Sequence, residues 1–252
     1  MPVTAKAKGS LVEVFSSCQG EGPLVGCRQI FIRFSGCNLE CHYCDTDWQL
    51  RDSCRLEKEP GCQEFEELPN PISLETVTQT LNRWLVATPG LHHSISLTGG
   101  EPLCHTPVLA EWLPELSSIL PVYLETNGTL PEALTGLLDW ISWVSMDIKL
   151  PSMTGHKPFW DEHRQFLETC REAQVETVVK VVCSENSPLA ELEEAARLVA
   201  QAYPQAVFVL QPVSSSEHRP PLAWLFKVQE HLATIHEDVR VIPQVHVLLN
   251  IP

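Results

Sequence analysis

Short runs rich in β-branched and aromatic residues recur along the chain, and most are separated by stretches with helical spacing. The runs are LVEVFS from Leu11, QIFIRF from Gln29, SISLTG from Ser94, VYLETN from Val122, WVSMDI from Trp143, VETVVKVVC from Val175, AVFVLQP from Ala206 and VRVIPQVHVLL from Val239. Helices are predicted over residues 74–88, with Ser73 as N-cap and Pro89-Gly90 as a stop, and over roughly 107–120, 131–140, 160–173, 188–202 and 221–236. Strands that alternate with helices need crossover connections and so build parallel sheets. About six such units in 252 residues predict an α/β fold, an incomplete (β/α)6-type barrel with mostly parallel strands. Residues 1–252 read as a single domain. The stretch at about 47–71 has no clear period and is expected to be an irregular insertion or a mobile lid.

In such folds functional groups gather at the C-terminal ends of the strands. Four polar clusters fall there: Thr98-Gly99-Gly100-Glu101-Pro102, Glu125-Thr126-Asn127-Gly128, Asp147-Ile148-Lys149 and Gln211-Pro212. Together they predict one shared pocket edge. With 17 basic and 32 acidic side chains the formal charge is −15. A nucleic-acid binder needs the opposite balance to displace counterions from phosphates, so that class is excluded. No apolar run approaches the roughly 18–20 residues that span a bilayer. The opening MPVTAKAKGS lacks the apolar stretch of a secretory leader, so no membrane partner and a cytoplasmic location are expected.

Of ten cysteines, Cys18, Cys27, Cys37, Cys41, Cys44, Cys54 and Cys62 fall in the first quarter of the chain. In a reducing compartment such crowding points to metal or redox chemistry rather than disulfides. GCNLECHYCDT, residues 36–46, places Cys37-x3-Cys41-x2-Cys44 directly after the QIFIRF strand. Structural zinc closes its shell with four protein ligands, and electron-carrying clusters use four cysteines. Three thiolates on a four-iron cluster leave one iron open to a small ligand. Cys54 or Cys62 as a fourth thiolate would instead make a zinc-binding interaction module, and the spacing alone leaves both readings standing.

The triplet with Tyr43 before its last cysteine is similar to the radical S-adenosylmethionine (SAM) signature, and Gly99-Gly100-Glu101-Pro102 resembles that superfamily's second motif. Gln19-Gly20-Glu21-Gly22, Phe31-Ile32-Arg33-Phe34, Cys44-Asp45-Thr46 and the Pro-Gln-x-His of residues 243–246 narrow the match. Together they resemble the 7-carboxy-7-deazaguanine synthase family of queuosine biosynthesis. The resemblance implies a radical SAM core and a carbon–nitrogen lyase. Its substrate would be 6-carboxy-5,6,7,8-tetrahydropterin, converted to the deazapurine 7-carboxy-7-deazaguanine with loss of ammonia. SAM would be reductively cleaved and a 5′-deoxyadenosyl radical would take hydrogen from the substrate, so no side chain is expected to carry the radical step.

The cofactors so implied are a [4Fe-4S] cluster on Cys37, Cys41 and Cys44, SAM, and Mg²⁺ on Thr46. SAM is expected against Tyr43, Asp45, Gly100, Ser145, Met146, Asp147 and Gln211. Substrate is expected against Cys18, Gln19, Gly20, Glu21, Arg33, Thr98 and Pro252. A planar guanidinium suits bidentate pairing with a carboxylate, which makes Arg33 the candidate for the substrate's acid group. The implied partners are a flavodoxin or ferredoxin as electron donor and a second copy of the chain in a homodimer. A radical SAM activase of another substrate is the alternative enzyme; Gln19–Gly22 and the Pro-Gln-x-His segment argue against it.

Overall fold

In the computed structural model, residues 7–42, 44, 49–215 and 218–251 are described. Their strands are β1 (Lys8–Gly9), β2 (Leu11–Cys18), β3 (Arg28–Phe34), β4 (Ser53–Glu57), β5 (Phe65–Pro69), β6 (Ile72–Ser73), β7 (Ser94–Gly99), β8 (Val122–Thr126), β9 (Trp143–Asp147), β10 (Glu176–Cys183), β11 (Val207–Pro212) and β12 (Val239–Val241). The helices are α1 (Leu74–Ala87), α2 (Thr106–Ile119), α3 (Pro131–Leu134), α4 (Pro151–Thr154), α5 (Trp160–Glu172), α6 (Leu189–Ala202), α7 (Leu222–Leu232) and α8 (Val245–Leu249). The main sheet runs in the order β12-β11-β10-β9-β8-β7-β3-β2-β4-β5. From β3 to β12 every neighbouring pair is parallel, which is the predicted α/β architecture. Strand β2 pairs antiparallel with β3, and the short β1 and β6 form a separate ribbon.

Period-two alternation along the strands divides the protein into layers. Ile30, Ile32 and Phe34 of β3, Ile95 and Leu97 of β7, Val144 and Met146 of β9, and Phe208 and Leu210 of β11 join one core under the helices. Helix α1 completes that core with Leu74, Val77, Leu81 and Trp84, the three- and four-residue spacing of one helical face. Its N-terminus is capped as expected: the Thr76 N–H donates to Ser73 Oγ at 3.2 Å. None of the described helices is long and apolar enough to cross a membrane.

Three expectations are corrected. The helix over 131–140 stops at Leu134 and resumes only as a single turn over Leu138–Trp140, because Gly136 between them takes φ +82°. The run from Val239 is a strand only to Val241; Pro243 has no N–H to give a ladder, and α8 follows. The stretch 47–71 is not irregular throughout, since β4 and β5 form a hairpin that joins the main sheet beside β2. Cys54 and Leu56 of β4 alternate inward while Arg55 is exposed. Buried Glu57 fixes the hairpin turn, its carboxylate accepting from the N–H groups of Ser16 (2.9 Å), Gly61 (3.0 Å) and Gln63 (2.8 Å).

Glu57→Ala leaves those three donors without an acceptor. It is expected to lower the unfolding free energy by about 1–3 kcal/mol and to open the turn to trypsin at Lys58. Urea unfolding and limited proteolysis read both effects, and parent-like behaviour in both would show that the hairpin is held elsewhere.

Candidate active site

The strand face turned away from the helices is polar. It carries Gln29, Phe31 and Arg33 on β3, Ser96 and Thr98 on β7, Tyr123 and Glu125 on β8, Ser145 and Asp147 on β9, Lys180 on β10 and Gln211 on β11. Most of these line a cavity of about 1130 Å³ that opens at the strands' C-terminal ends. A single small-molecule pocket occupies roughly 300–1,000 Å³, so this one has room for more than one ligand.

The cysteine loop leaves β3 at Phe34 and is set in place by the loop after β7. The Gly100 N–H donates to Phe34 O at 3.1 Å and the Glu101 N–H to Gly36 O at 2.9 Å. These bonds need bare backbone: a Cβ on Gly99 would overlap Phe34 O, and one on Gly100 would overlap Gly36 O and press on Cys37 Cβ. Glu101, fully buried, then turns inward. Its carboxylate accepts from the Leu103 N–H (3.0 Å), Thr126 Oγ1 (2.8 Å) and the Asn127 N–H (2.7 Å), tying the β8 loop to the β7 loop. Burial pushes its carboxyl above the ordinary range against those three donors.

Cys37, Cys41 and Cys44 all face the cavity. Burial pushes the Cys37 thiol up, opposed by the Leu39 N–H at 3.4 Å from its sulfur; it pushes Cys41 up as well, opposed by the Lys149 ammonium. Each of those two thiols is raised further by Cys44, which lies within electrostatic reach of both. Cys54 lies in the core and Cys62 is exposed beside the hairpin turn; neither lines the cavity, which takes from the zinc reading the fourth thiolate it proposed. Three soft sulfur donors on one loop fit an iron–sulfur cluster with one corner open.

Opposite the cysteines the segment Gln19–Gly22 crosses the polar face. Gln19 Nε2 donates to Gln29 Oε1 and to Glu125 Oε1, each at 2.9 Å. Glu125 also accepts from Ser96 and Thr98 at 3.0 Å each. Glu21 forms an ion pair with Lys180 and accepts from Gln211 (3.0 Å) and Gln244 (2.9 Å). Burial alone would raise the Glu21 carboxyl, but Lys180 and Gln244 bring it down to about 2. Burial alone would lower Lys180, but Glu21 and Asp147 raise it above its ordinary value. Lys149 stands 2.8 Å from Asp147, and Lys180 stands 3.5 Å from it. On the far wall Arg33 pairs with Glu13 at 2.9 Å and lies over the Phe15 ring, while Arg55 from the hairpin reaches the same carboxylate at 3.5 Å.

The cavity therefore gathers Cys18, Gln19, Gly20, Glu21, Arg33, Cys37, Cys41, Cys44, Thr98, Gly100, Ser145, Asp147 and Gln211 from the residues expected by sequence. Tyr43, Asp45, Thr46 and Pro252 lie outside the described residues. Met146 is corrected: it alternates with Ser145 and Asp147, so its side chain is buried in the core on the other face of β9. Sequence reasoning placed Glu125 at the pocket edge, as observed, but missed Lys180 and Arg55. Polar residues alternate with apolar ones along β7, β8 and β9 and mark the polar face, whereas Lys180 stands alone between Val178 and Val182 on β10. Two buried acceptors in the cavity, Asp147 Oδ1 and Gln211 Oε1, have no protein donor. They fit a ligand that brings donors of its own, such as ribose hydroxyls or an ammonium.

Comparison with known proteins agrees with this geometry. Residues 31–199 match the radical SAM superfamily. The chain is 42% identical to a 7-carboxy-7-deazaguanine synthase from Geobacter sulfurreducens, covering 96% of this chain and 97% of that one. It is 34% identical to a protein of the same name from Archaeoglobus fulgidus, covering 97% and 99%. Among solved structures, QueE from Escherichia coli superposes with a TM-score of 0.59 at 19% identity over 95% of each chain. A radical SAM methyltransferase from Sphaerobacter thermophilus superposes at 0.57 with 15% identity, over 85% of this chain and 66% of that one. At such identities these two likenesses concern the fold alone.

The Glu21 carboxyl lies below the ordinary 4.5 in the folded chain, so its pairing contributes stability in full above about pH 4.5 and loses it as pH falls toward 2. Lys180→Met is expected to cost roughly 3–5 kcal/mol at neutral pH, a deficit that shrinks as pH falls through that window. Urea unfolding of both proteins across the range measures it, and a deficit independent of pH would remove the ion pair as its source.

Proposed function

The chain belongs to the radical SAM superfamily and, within it, to the 7-carboxy-7-deazaguanine synthases, and from that membership we propose that its cavity converts 6-carboxy-5,6,7,8-tetrahydropterin to 7-carboxy-7-deazaguanine with loss of ammonia. The observation that carries this reading is that three cysteine thiols and the polar groups of Gln19, Glu21 and Glu125 line one and the same cavity.

When bound, the [4Fe-4S] cluster and SAM supply one-electron chemistry and a hydrogen-atom acceptor. Cys37, Cys41 and Cys44 hold the cluster, and the loop around Gly100, which lines the cavity, takes the methionine part of SAM. Ser145, Asp147 and Gln211 take its ribose and polar ends, with the unpartnered Asp147 Oδ1 and Gln211 Oε1 as acceptors. A carboxylate offers about four acceptor positions. Glu21 has three donors and Glu125 has three, so each keeps one position for an N–H of the pterin ring. The Lys180 pairing keeps Glu21 ionised, and therefore an acceptor, throughout the neutral range. Arg33 offers its guanidinium to the substrate carboxylate, with Arg55 able to take over Glu13 as it does so. Gln19, bonded across to Gln29 and Glu125, closes the cavity against water beneath the reacting ring.

The finer parts of the proposal rest on sequence. Tyr43 and Asp45, either side of Cys44 in the sequence, would approach the adenine of SAM, Thr46 would be the protein ligand of Mg²⁺, and Pro252 would contact the substrate; a single hydroxyl suits Mg²⁺, which keeps water and substrate oxygens in its shell. A flavodoxin or ferredoxin delivers the electron, and the working enzyme is a cytoplasmic homodimer.

Anaerobically reconstituted protein given dithionite, SAM, Mg²⁺ and carboxytetrahydropterin is expected to release the deazaguanine acid and ammonia in equal amounts. Cys41→Ala is expected to abolish both, and Thr46→Ala to lose the response to Mg²⁺ while keeping its iron. Chromatography with mass detection follows the products; zinc in place of iron in the parent, or turnover by Cys41→Ala, would defeat the proposal.

A further inference from the structure

Asn127, just beyond β8, is bonded through every polar group it has. Its N–H donates to Glu101 Oε2 at 2.7 Å, and its carbonyl accepts from His163 Nε2 at 3.0 Å. Its Oδ1 accepts from the Thr129 N–H at 3.0 Å and from the Thr129 hydroxyl at 2.6 Å. A backbone N–H can only donate, so the amide oxygen must face Thr129 and the NH₂ must face the cysteine loop. There Nδ2 lies 2.9 Å from Asn38 Oδ1 and 3.9 Å from Cys37 Sγ. Asn38 Nδ2 donates in turn to Thr129 Oγ1 at 2.9 Å.

Thr129, Asn127 and Asn38 thus form a closed ring of three hydrogen bonds that all run in one sense, each polarising the next. One amide hydrogen of Asn127 satisfies Asn38, which leaves the other for the sulfur. Asn127 and Thr129 are both more than nine-tenths buried, so bulk water does not compete for these groups. The Leu39 N–H is a second donor to the same sulfur, at 3.4 Å. N–H dipoles aimed at a ligating sulfur favour the more negative, reduced state of a cluster and raise its potential.

We infer that Asn127 is a positioning residue that raises the reduction potential of the cluster through the sulfur of Cys37, and that the ring with Asn38 and Thr129 holds its amide in the required sense. The inference rests on the reading that Cys37 ligates a cluster. It adds a device linking the β8 loop, and through Glu101 the β7 loop, to the ease with which that cluster accepts an electron.

The test is a mediator titration of the anaerobically reconstituted full chain, followed by electron paramagnetic resonance, with iron content measured on the same samples. Asn127→Asp keeps the shape but turns a donor toward the sulfur into a charged acceptor. At the parent's midpoint its ratio of reduced to oxidised cluster is expected to fall about tenfold, ~59 mV for one electron, with iron content unchanged. Thr129→Val breaks the ring with Asn127 left in place and is expected to shift the potential the same way by less, while Thr129→Ser restores the parent value. A parent potential in iron-replete Asn127→Asp overturns the inference and leaves the cluster reading standing; a parent that binds no iron overturns the cluster reading itself. Should Asn127→Asp take up no iron, the Thr129→Val potential decides, and an unshifted value overturns the inference.

Discussion

Bare backbone against bare backbone, Gly99 and Gly100 on Phe34 and Gly36, is the contact from which the rest of the site is positioned. Two adjacent parallel strands end at the same height, and their loops can share hydrogen bonds only where no Cβ stands between them. The bonds that result fix the first cysteine relative to the sheet. Glu101 carries the same constraint sideways into the β8 loop through a carboxylate that is buried and fully engaged. The cysteine loop is thus attached to a rigid edge at its beginning rather than suspended from a flexible turn, which is what a reactive centre needs of its support.

A protein of charge −15 keeps two lysines deep in its cavity, and both are used to hold carboxylates. The Glu21–Lys180 and Asp147–Lys149 pairs draw on three separate segments, the turn after β2, the end of β9 and β10, so the field inside the cavity depends on these parts of the sheet being assembled. Gln211 and Gln244 add neutral donors to Glu21, which spreads its charge without cancelling it. A planar heterocycle with several N–H groups would meet acceptors already oriented and already desolvated.

Much of this was legible in the residues. The strand–helix alternation was visible because each buried parallel strand is a compact β-branched run, and the cysteine triplet because it stands directly after one such strand, though only the neighbouring motifs told a cluster from zinc. The hairpin of β4 and β5 escaped because SCRLE alternates over only five residues and carries charges outward. Helix α8 escaped because its valines and leucines share a composition with strands, and only Pro243 marks the change. Lys180 sits inside an apolar run where a lone cation reads as an exposed interruption; only the partners brought from Gly22's neighbour Glu21 and from β9 reveal its place. The meeting of two sequence motifs was also out of reach. Gly20 is glycine because the His246 ring occupies the space a Cβ would take, and the Val245 N–H donates to Gly20 O at 2.8 Å. No local pattern announces a contact between the start and the end of a chain.

The glycine edge sets the position of the cysteine loop. Iron content and turnover of Gly100→Ala, after anaerobic reconstitution and beside a circular dichroism spectrum, test it most directly. Gly100 does not adopt positive φ, so the added methyl group acts by its bulk against Gly36 alone. The variant is expected to fold, to retain well under half the parent's iron and to have no measurable turnover; full iron with parent turnover would mean that the loop takes its position from elsewhere.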